Sequence, residues 1–243
     1  MMTRLLSRWM LCLAVLAASV ASAQAPRPDS NSPESNSGEV HLRLVPAQTG
    51  KHRAVPAVVW LEPQAGTPLL AFPAHGRYTL LQKNRMFTPH LQVIPVGSVV
   101  QFPNADPFFH NVFSLFDGRR FDLGLYEAGS SRSVTFSREG VSYIFCNIHP
   151  EMSAVVLTLS TPLYAVETVG EAFVLRDVPP GDYKLNFWVE GVPQPTLDSL
   201  QRHVHVSFRP VDLGDVSVPA GKTSLEHSNK FGGNYDRQPD STY

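Results

Sequence analysis

From Val40 onward the chain consists of short apolar runs, none of which keeps its hydrophobic residues at helical spacing. That pattern restricts it to β structure. "VHLRLV" alternates apolar and polar residues, "AVVWLE" is a compact apolar run, and "HLQVIPVG" ends on a turn signal. "SVVQF" stops at Pro103-Asn104, "SRSVTF" alternates again, "VSYIF" runs into Cys146, and "SAVVLTLS" follows Met152. Successive side chains of a strand point to opposite faces, so alternation buries one face and leaves the other wet. The 21 prolines and 16 glycines supply breaks between runs. Six or seven such strands predict an all-β Greek-key sandwich of two sheets over residues 39–161. A second block, 162–221, holds "EAFVLRDVPPGDYKLNFWVEG", two strand patterns around a proline-glycine turn, followed by "RHVHVSF" and "DLGDVSVPAG". It predicts an additional small carboxy-terminal β module, either an appended domain or extra strands on the first.

The ends of the chain read differently. Arg4 and Arg8 precede the apolar run "WMLCLAVLAASV", and "ASAQA" follows with small residues suited to cleavage after Ala23 or Ala25. Residues 1–25 therefore read as a secretory signal peptide. A transmembrane anchor needs about 20 apolar residues, so the mature chain is expected to carry no membrane span and to reside in the periplasm. Cys12 lies inside the apolar run, away from the small-residue site where a lipoprotein cysteine would stand. "PRPDSNSPESNSG", residues 26–38, reads as a disordered linker, and 222–243 as a polar tail lying over the surface.

Removing the first 25 residues takes Arg4 and Arg8 but no acid, so 20 basic residues become 18 against 21 acidic ones, a net charge of −3. That balance predicts no nucleic-acid or anionic-membrane partner. Of the two cysteines, Cys146 alone remains, and a single cysteine in an exported chain cannot close an internal disulfide. A bare thiolate there is open to oxidation, whereas a metal-bound one is protected.

"FCNIHPEM" sets Cys146, His149 and Met152 within seven residues, and "NADPFFHNVFS" upstream offers His110 after a strand and a turn. Two imidazoles, a thiolate and a thioether are the donors of a trigonal His₂Cys copper centre with a long axial methionine. A strand end would deliver Cys146, a tight loop would return His149 and Met152, and His110 is expected from a neighbouring strand across the sandwich. Taken singly, each residue has a plainer reading: a small buried hydrophobe for Cys146, core filler for Met152, a turn histidine for His110. Their joint occurrence in a β context favours the metal.

These residues resemble the cupredoxins. "HNV" followed at a distance by C-x-x-H-P-x-M, here "CNIHPEM", is similar to the family's ligand pattern, and the C-x-x-H-x-x-M spacing looks most like the amicyanins. The longer run "VVQFPNADPFFHNVFS … FDLGLY … FCNIHPEMSAVVL" is similar to bacterial plastocyanin-like proteins of the methylamine-utilisation type. The resemblance spans roughly Val40 to Thr161. It implies a cupredoxin-like sandwich with one type 1 (blue) copper per chain, held by His110, Cys146, His149 and Met152. It also implies a one-electron carrier cycling between Cu(II) and Cu(I), with a redox partner such as a c-type cytochrome or a dehydrogenase. Asn111 would tie the two ligand loops together by hydrogen bonding. The chain departs from small cupredoxins in its carboxy-terminal block, faintly similar to carboxypeptidase-regulatory or transthyretin-like modules. It departs also in Glu151, where amicyanins carry an aromatic residue. Both leave the partner open.

Other candidates are weaker. His203 and His205 form H-x-H on one strand face; period-two alternation explains them, and a second metal there stays open. His90 stands near a strand start and could approach the site, although the ligand set is complete without it. His41, His52, His75 and His227 have no partners at metal spacing. "FDGRRFDLG" reads as turn and surface chemistry. No G-x-S-x-G, P-loop, H-E-x-x-H or paired catalytic acids are visible, so the chain is not expected to be an enzyme. The alternatives are a copper-handling protein without a redox partner, a copper oxidoreductase needing a second copper with an open position, and a metal-free sandwich for adhesion or assembly. Pro107, Phe108, Phe109 and Pro150 either ring the exposed edge of His149 as a weak docking patch or turn inward as core.

Overall fold

Seventeen strands and one single-turn helix occupy the described residues (37–48, 54–70, 72, 75–115, 118–221 and 230–231) of a computed structural model. The expected signal peptide, the linker up to residue 36, and all of the tail except 230–231 lie outside the described residues. None of the described helices is long and apolar enough to cross a membrane.

Ten strands build the lobe that carries the metal-ligand candidates. A five-stranded sheet runs in the order β6 (Leu91–Pro95), β12 (Ser153–Leu159), β11 (Gly140–Phe145), β8 (His110–Ser114) and β9 (Phe121–Tyr126). A three-stranded sheet runs β10 (Ser131–Phe136), β7 (Ser98–Pro103) and β3 (Arg77–Thr79), and β4 (Leu81–Lys83) with β5 (Met86–Thr88) forms a separate hairpin. The chain changes sheet at β6/β7, β7/β8, β9/β10 and β10/β11, the Greek-key habit expected from the sequence. The β6–β7 turn uses Gly97 at φ +88°, a conformation that side chains rarely adopt. Val100, Phe102, Val134 and Phe136 of the three-stranded sheet share one core with Val112, Ile144, Ala154 and Val156, and Cys146 and Met152 belong to it.

Seven strands form a second sandwich. One sheet is β14 (Ala172–Val178), β1 (Gly38–Pro46) and β17 (Val211–Val218); the other is β13 (Tyr164–Thr168), β2 (Pro56–Pro63), β15 (Gly181–Val189) and β16 (Arg202–Val206). Helix α1 (Gln194–Asp198) has proline in its first turn and buries Leu197 in this lobe's core.

This pairing corrects the expected boundaries of 39–161 and 162–221. Strand β1 pairs antiparallel with β14 and parallel with β17, and β2 pairs with β13 and β15. The amino-terminal strands thus complete the carboxy-terminal sandwich, and residues 164–218 alone would lack the centre of one sheet. "VPPGD" does join two strands, but β14 and β15 lie in different sheets. Alternation shows that a segment is a strand with one wet face; it carries no information about which distant strand completes its hydrogen bonds.

The two lobes belong to one compact unit, and β12 shows why. Ala154 and Val156 face the metal lobe's core, whereas Val155, Leu157 and Leu159 join Val58 and Trp188 in a separate apolar cluster. A strand buried on both faces needs a continuous apolar run, which "AVVLTL" supplies. On β15, Leu185, Phe187 and Val189 point into their own sandwich while Trp188 points across the joint. Trp188 is fully buried. Trp188→Ala is expected to destabilise the protein by about 3–5 kcal/mol, measured by urea unfolding; a loss under about 1 kcal/mol would show that the joint contributes little.

Candidate metal centre

Strands β8 and β11 are neighbours in the five-stranded sheet, with Phe113 opposite Phe145. His110 opens β8, and Cys146 follows the last residue of β11. Because Phe145 pairs with Ser153, residues 146–152 form the loop of a hairpin. Cys146 N–H donates to Met152 O at 3.3 Å and Met152 N–H to His149 O at 3.1 Å, closing that loop on itself. Three candidate ligands in seven residues are the loop of one hairpin. His110 arrives from the same sheet, not across the sandwich as expected.

Cys146 Sγ lies 3.7 Å from His110 Nδ1 and 3.6 Å from His149 Nδ1, and the two nitrogens are 3.2 Å apart. Donors bound to one ion at about 2.0–2.3 Å, at angles between tetrahedral and trigonal, stand about 3.2–3.8 Å from each other. All three edges of the triangle fall in that range, so the residues fit a metal of this class. Among the described residues this is the one group of three or more His, Cys, Asp or Glu donors that could hold an ion. Met152 is fully buried in the same core as Cys146.

The surroundings fix which nitrogen faces the triangle. His110 Nε2 lies 2.8 Å from Asp106 Oδ2, with both residues buried. An ionised carboxylate only accepts, so Nε2 donates and Nδ1 keeps its lone pair towards Cys146 and His149. Burial raises the cost of the Asp106 charge, but the backbone N–H of Arg85, the His110 imidazole and the N–H of Asn84 outweigh it, holding its carboxyl below the usual aspartate range. Desolvation pushes His149 below the usual histidine value, with a further push from His110, the direction that favours the unprotonated imidazole a metal needs. Burial pushes the Cys146 thiol up, against the pull of backbone N–H groups of Asn111, Ile148 and His149. The Asn111 N–H joins one ligand loop to the other; its side chain turns away and donates to Asp122 Oδ1 at 2.7 Å.

Cys146, His110 and Asp106 stand in the order of a nucleophilic triad. Cys146 is 0% exposed, so no substrate carbon can reach the sulfur, and its raised thiol is a poor nucleophile. Metal ligation is the chemistry that the arrangement suits. Of the three converging side chains, only His149 is part exposed. Phe108 turns inward, its ring centroid 5.3 Å from that of His110 and 5.6 Å from that of His149. Phe109, Ile148, Pro107 and Pro150 are exposed, which divides the apolar residues between core and surface.

Four other histidines have their own partners. His90 lies 3.1 Å from Ser153 O and 2.5 Å from Glu190, and exposed His205 pairs with Asp182 at 2.8 Å. His41 pairs with Glu39, and His75 with Val96 O. His52 and His227 lie outside the described residues.

Sequence reasoning missed Asp106, although it stands four residues before His110; in a loop that interval implies no shared face. It also read Asp122 as surface chemistry. Asp122 accepts from Asn111, from Gly124 N–H and from Lys230 Nζ at 2.8 Å, while Lys230 N–H donates to Asn147 in the ligand loop at 2.9 Å. Burial costs Asp122 some of its charge, but Lys230, Asn111 and Gly124 hold its carboxyl below the usual value of 3.8. A lowered folded pKa adds stability above the unfolded value, which is lost as the pH falls through the folded one. Between about pH 5 and about pH 3, wild type is therefore expected to lose more stability than Asp122→Asn; equal losses would contradict this.

No family model and no curated protein matches the chain. Solved structures align with part of it. A purple cupredoxin from Nitrosopumilus maritimus is 24% identical over 35% of this chain and 99% of that one, with a TM-score of 0.31. A copper-containing nitrite reductase from Thermus scotoductus SA-01 is 24% identical over 40% of this chain and 25% of that one, with a TM-score of 0.33. A reduced mutant of amicyanin is 19% identical over 42% of this chain and 98% of that one, with a TM-score of 0.33.

Proposed function

We propose that this chain is an exported one-electron carrier of the cupredoxin type, binding one copper through His110, Cys146, His149 and Met152. The observation that carries the reading is the triangle of Cys146 Sγ and two imidazole Nδ1 atoms, with edges of 3.2, 3.6 and 3.7 Å. Bound there, copper supplies a Cu(II)/Cu(I) couple. Cys146 gives the thiolate, His110 the buried imidazole locked by Asp106, and Met152 the weak axial thioether. His149 presents an edge at the surface among exposed Phe109, Ile148 and Pro150, so a docked protein would come nearest the site at this ring. A small apolar rim suits brief, weak docking. The periplasmic location rests on residues 1–25.

Stopped-flow mixing of the reduced, copper-loaded protein with an oxidised c-type cytochrome tests the role. Fast electron exchange is expected at one copper per chain. Tight copper binding without exchange points to a copper-handling protein, and two coppers per chain with catalytic turnover point to an enzyme.

A further inference from the structure

The outermost protein atoms acting on His110 come from a hairpin turn that no ligand belongs to. Lys83 pairs with Met86, so Asn84 and Arg85 are the two turn residues between β4 and β5. Their φ values are 55° and 56°, consecutive left-handed residues of the kind that tight hairpin turns require. Asparagine tolerates that conformation well; arginine does so at a cost. The turn aims both backbone N–H groups at one carboxylate: Asn84 N–H donates to Asp106 Oδ1 at 2.6 Å and Arg85 N–H to Asp106 Oδ2 at 3.0 Å. The same Oδ2 accepts from His110 Nε2. Asp106 N–H is itself held by Asn104 Oδ1 at 3.0 Å, and Asn104 Nδ2 donates to Phe108 O at 2.8 Å. The carboxylate thus has no freedom to swing away from the imidazole. The Arg85 guanidinium meanwhile lies 5.4 Å from the centre of the Phe108 ring, which touches both imidazoles.

We propose that Asp106 is a positioning residue that fixes His110 in the Nε2–H tautomer and, through its buried negative charge, favours the higher oxidation state of the bound copper, lowering the reduction potential. This rests on the copper reading above. The physical ground is that a carboxylate behind a ligating imidazole makes the ring more basic and a better donor to the more highly charged ion. Loss of such a partner costs about 10–100-fold in metal affinity. The loss should fall mainly on Cu(II), because the extra basicity matters more to the doubly charged ion. The β4–β5 turn is then part of the metal site, acting at one remove.

The test is Asp106→Asn in the full chain, with Cu(II) and Cu(I) affinities measured by chelator competition and the potential by redox titration. The expected result is a Cu(II) affinity at least about tenfold lower with a smaller change for Cu(I). A tenfold change in their ratio corresponds to a rise of about 59 mV. Asp106→Glu, which keeps the charge, should recover part of the shift. Imidazole ¹⁵N shifts of diamagnetic wild-type Cu(I) protein give a second readout that needs no variant: His110 should appear as the Nε2–H tautomer. Copper-loaded Asp106→Asn with an unchanged potential overturns this proposal alone, whereas His110 in the other tautomer, whose protonated Nδ1 could not ligate, overturns it together with the copper reading. Wild-type protein that binds no copper overturns it together with the copper reading.

Discussion

Cys146→Ser is expected to abolish the intense thiolate-to-copper absorption that copper-loaded wild type should show, while leaving the β sandwich folded. Bound to copper, the sulfur would be the one soft anion in the triangle, and its charge-transfer transition would have no counterpart in a serine ligand. Cys146 is fully buried in a core with Val112, Ile144, Met152 and Ala154. Serine is slightly smaller and brings a hydroxyl that can donate to either Nδ1, so the cost in stability is modest beside the loss of the site. Copper affinity should fall by more than the 10–100-fold typical of an outer partner, because a direct ligand is gone. A variant that kept the band would place the chromophore elsewhere.

The second large effect concerns the potential. The backbone N–H groups of Asn111, Ile148 and His149 pull the Cys146 thiol down against its burial; on a copper-bound thiolate they would disperse charge on the sulfur and weaken its donation to Cu(II). Ile148→Pro deletes one of these donors and nothing else polar. The freed lone pair then favours the oxidised ion, and the potential should fall. A hydrogen bond to a charged group contributes about 1.5–3 kcal/mol, and a difference of about 1.4 kcal/mol between the two oxidation states is about 59 mV. Ile148→Ala keeps the N–H and serves as control. Ile148 is 42% exposed, so an equal shift in the alanine variant would trace the effect to lost apolar cover and count against the hydrogen bond.

The candidate ligands were legible because their chemistry is local. Cys146, His149 and Met152 sit in one seven-residue stretch, and a hairpin with Phe145 opposite Ser153 returns that stretch on itself. His110 was legible from its residue type and its place after a turn, although its sheet was misplaced. Strands such as β7 and β10 were legible because each stays within one register of apolar burial. The lobe to which β1 and β2 belong was not, since their partners lie more than 100 residues away in the chain. Asp106 and Lys230 were hidden for a different reason. Their roles arise from a turn at Asn84–Arg85 and from the side-chain Oδ1 of Asn147 in the ligand loop, contacts that only folding creates. The two-sided burial of β12 is an intermediate case: "AVVLTL" announces a strand without a wet face, but not that Trp188 covers it.

The most direct test is anomalous diffraction at the copper edge from crystals of the copper-loaded protein. A single peak is expected inside the triangle of His110 Nδ1, Cys146 Sγ and His149 Nδ1, about 2.0–2.3 Å from each. No peak there, or one found instead beside His203 and His205, would contradict the assignment of these residues as the metal centre.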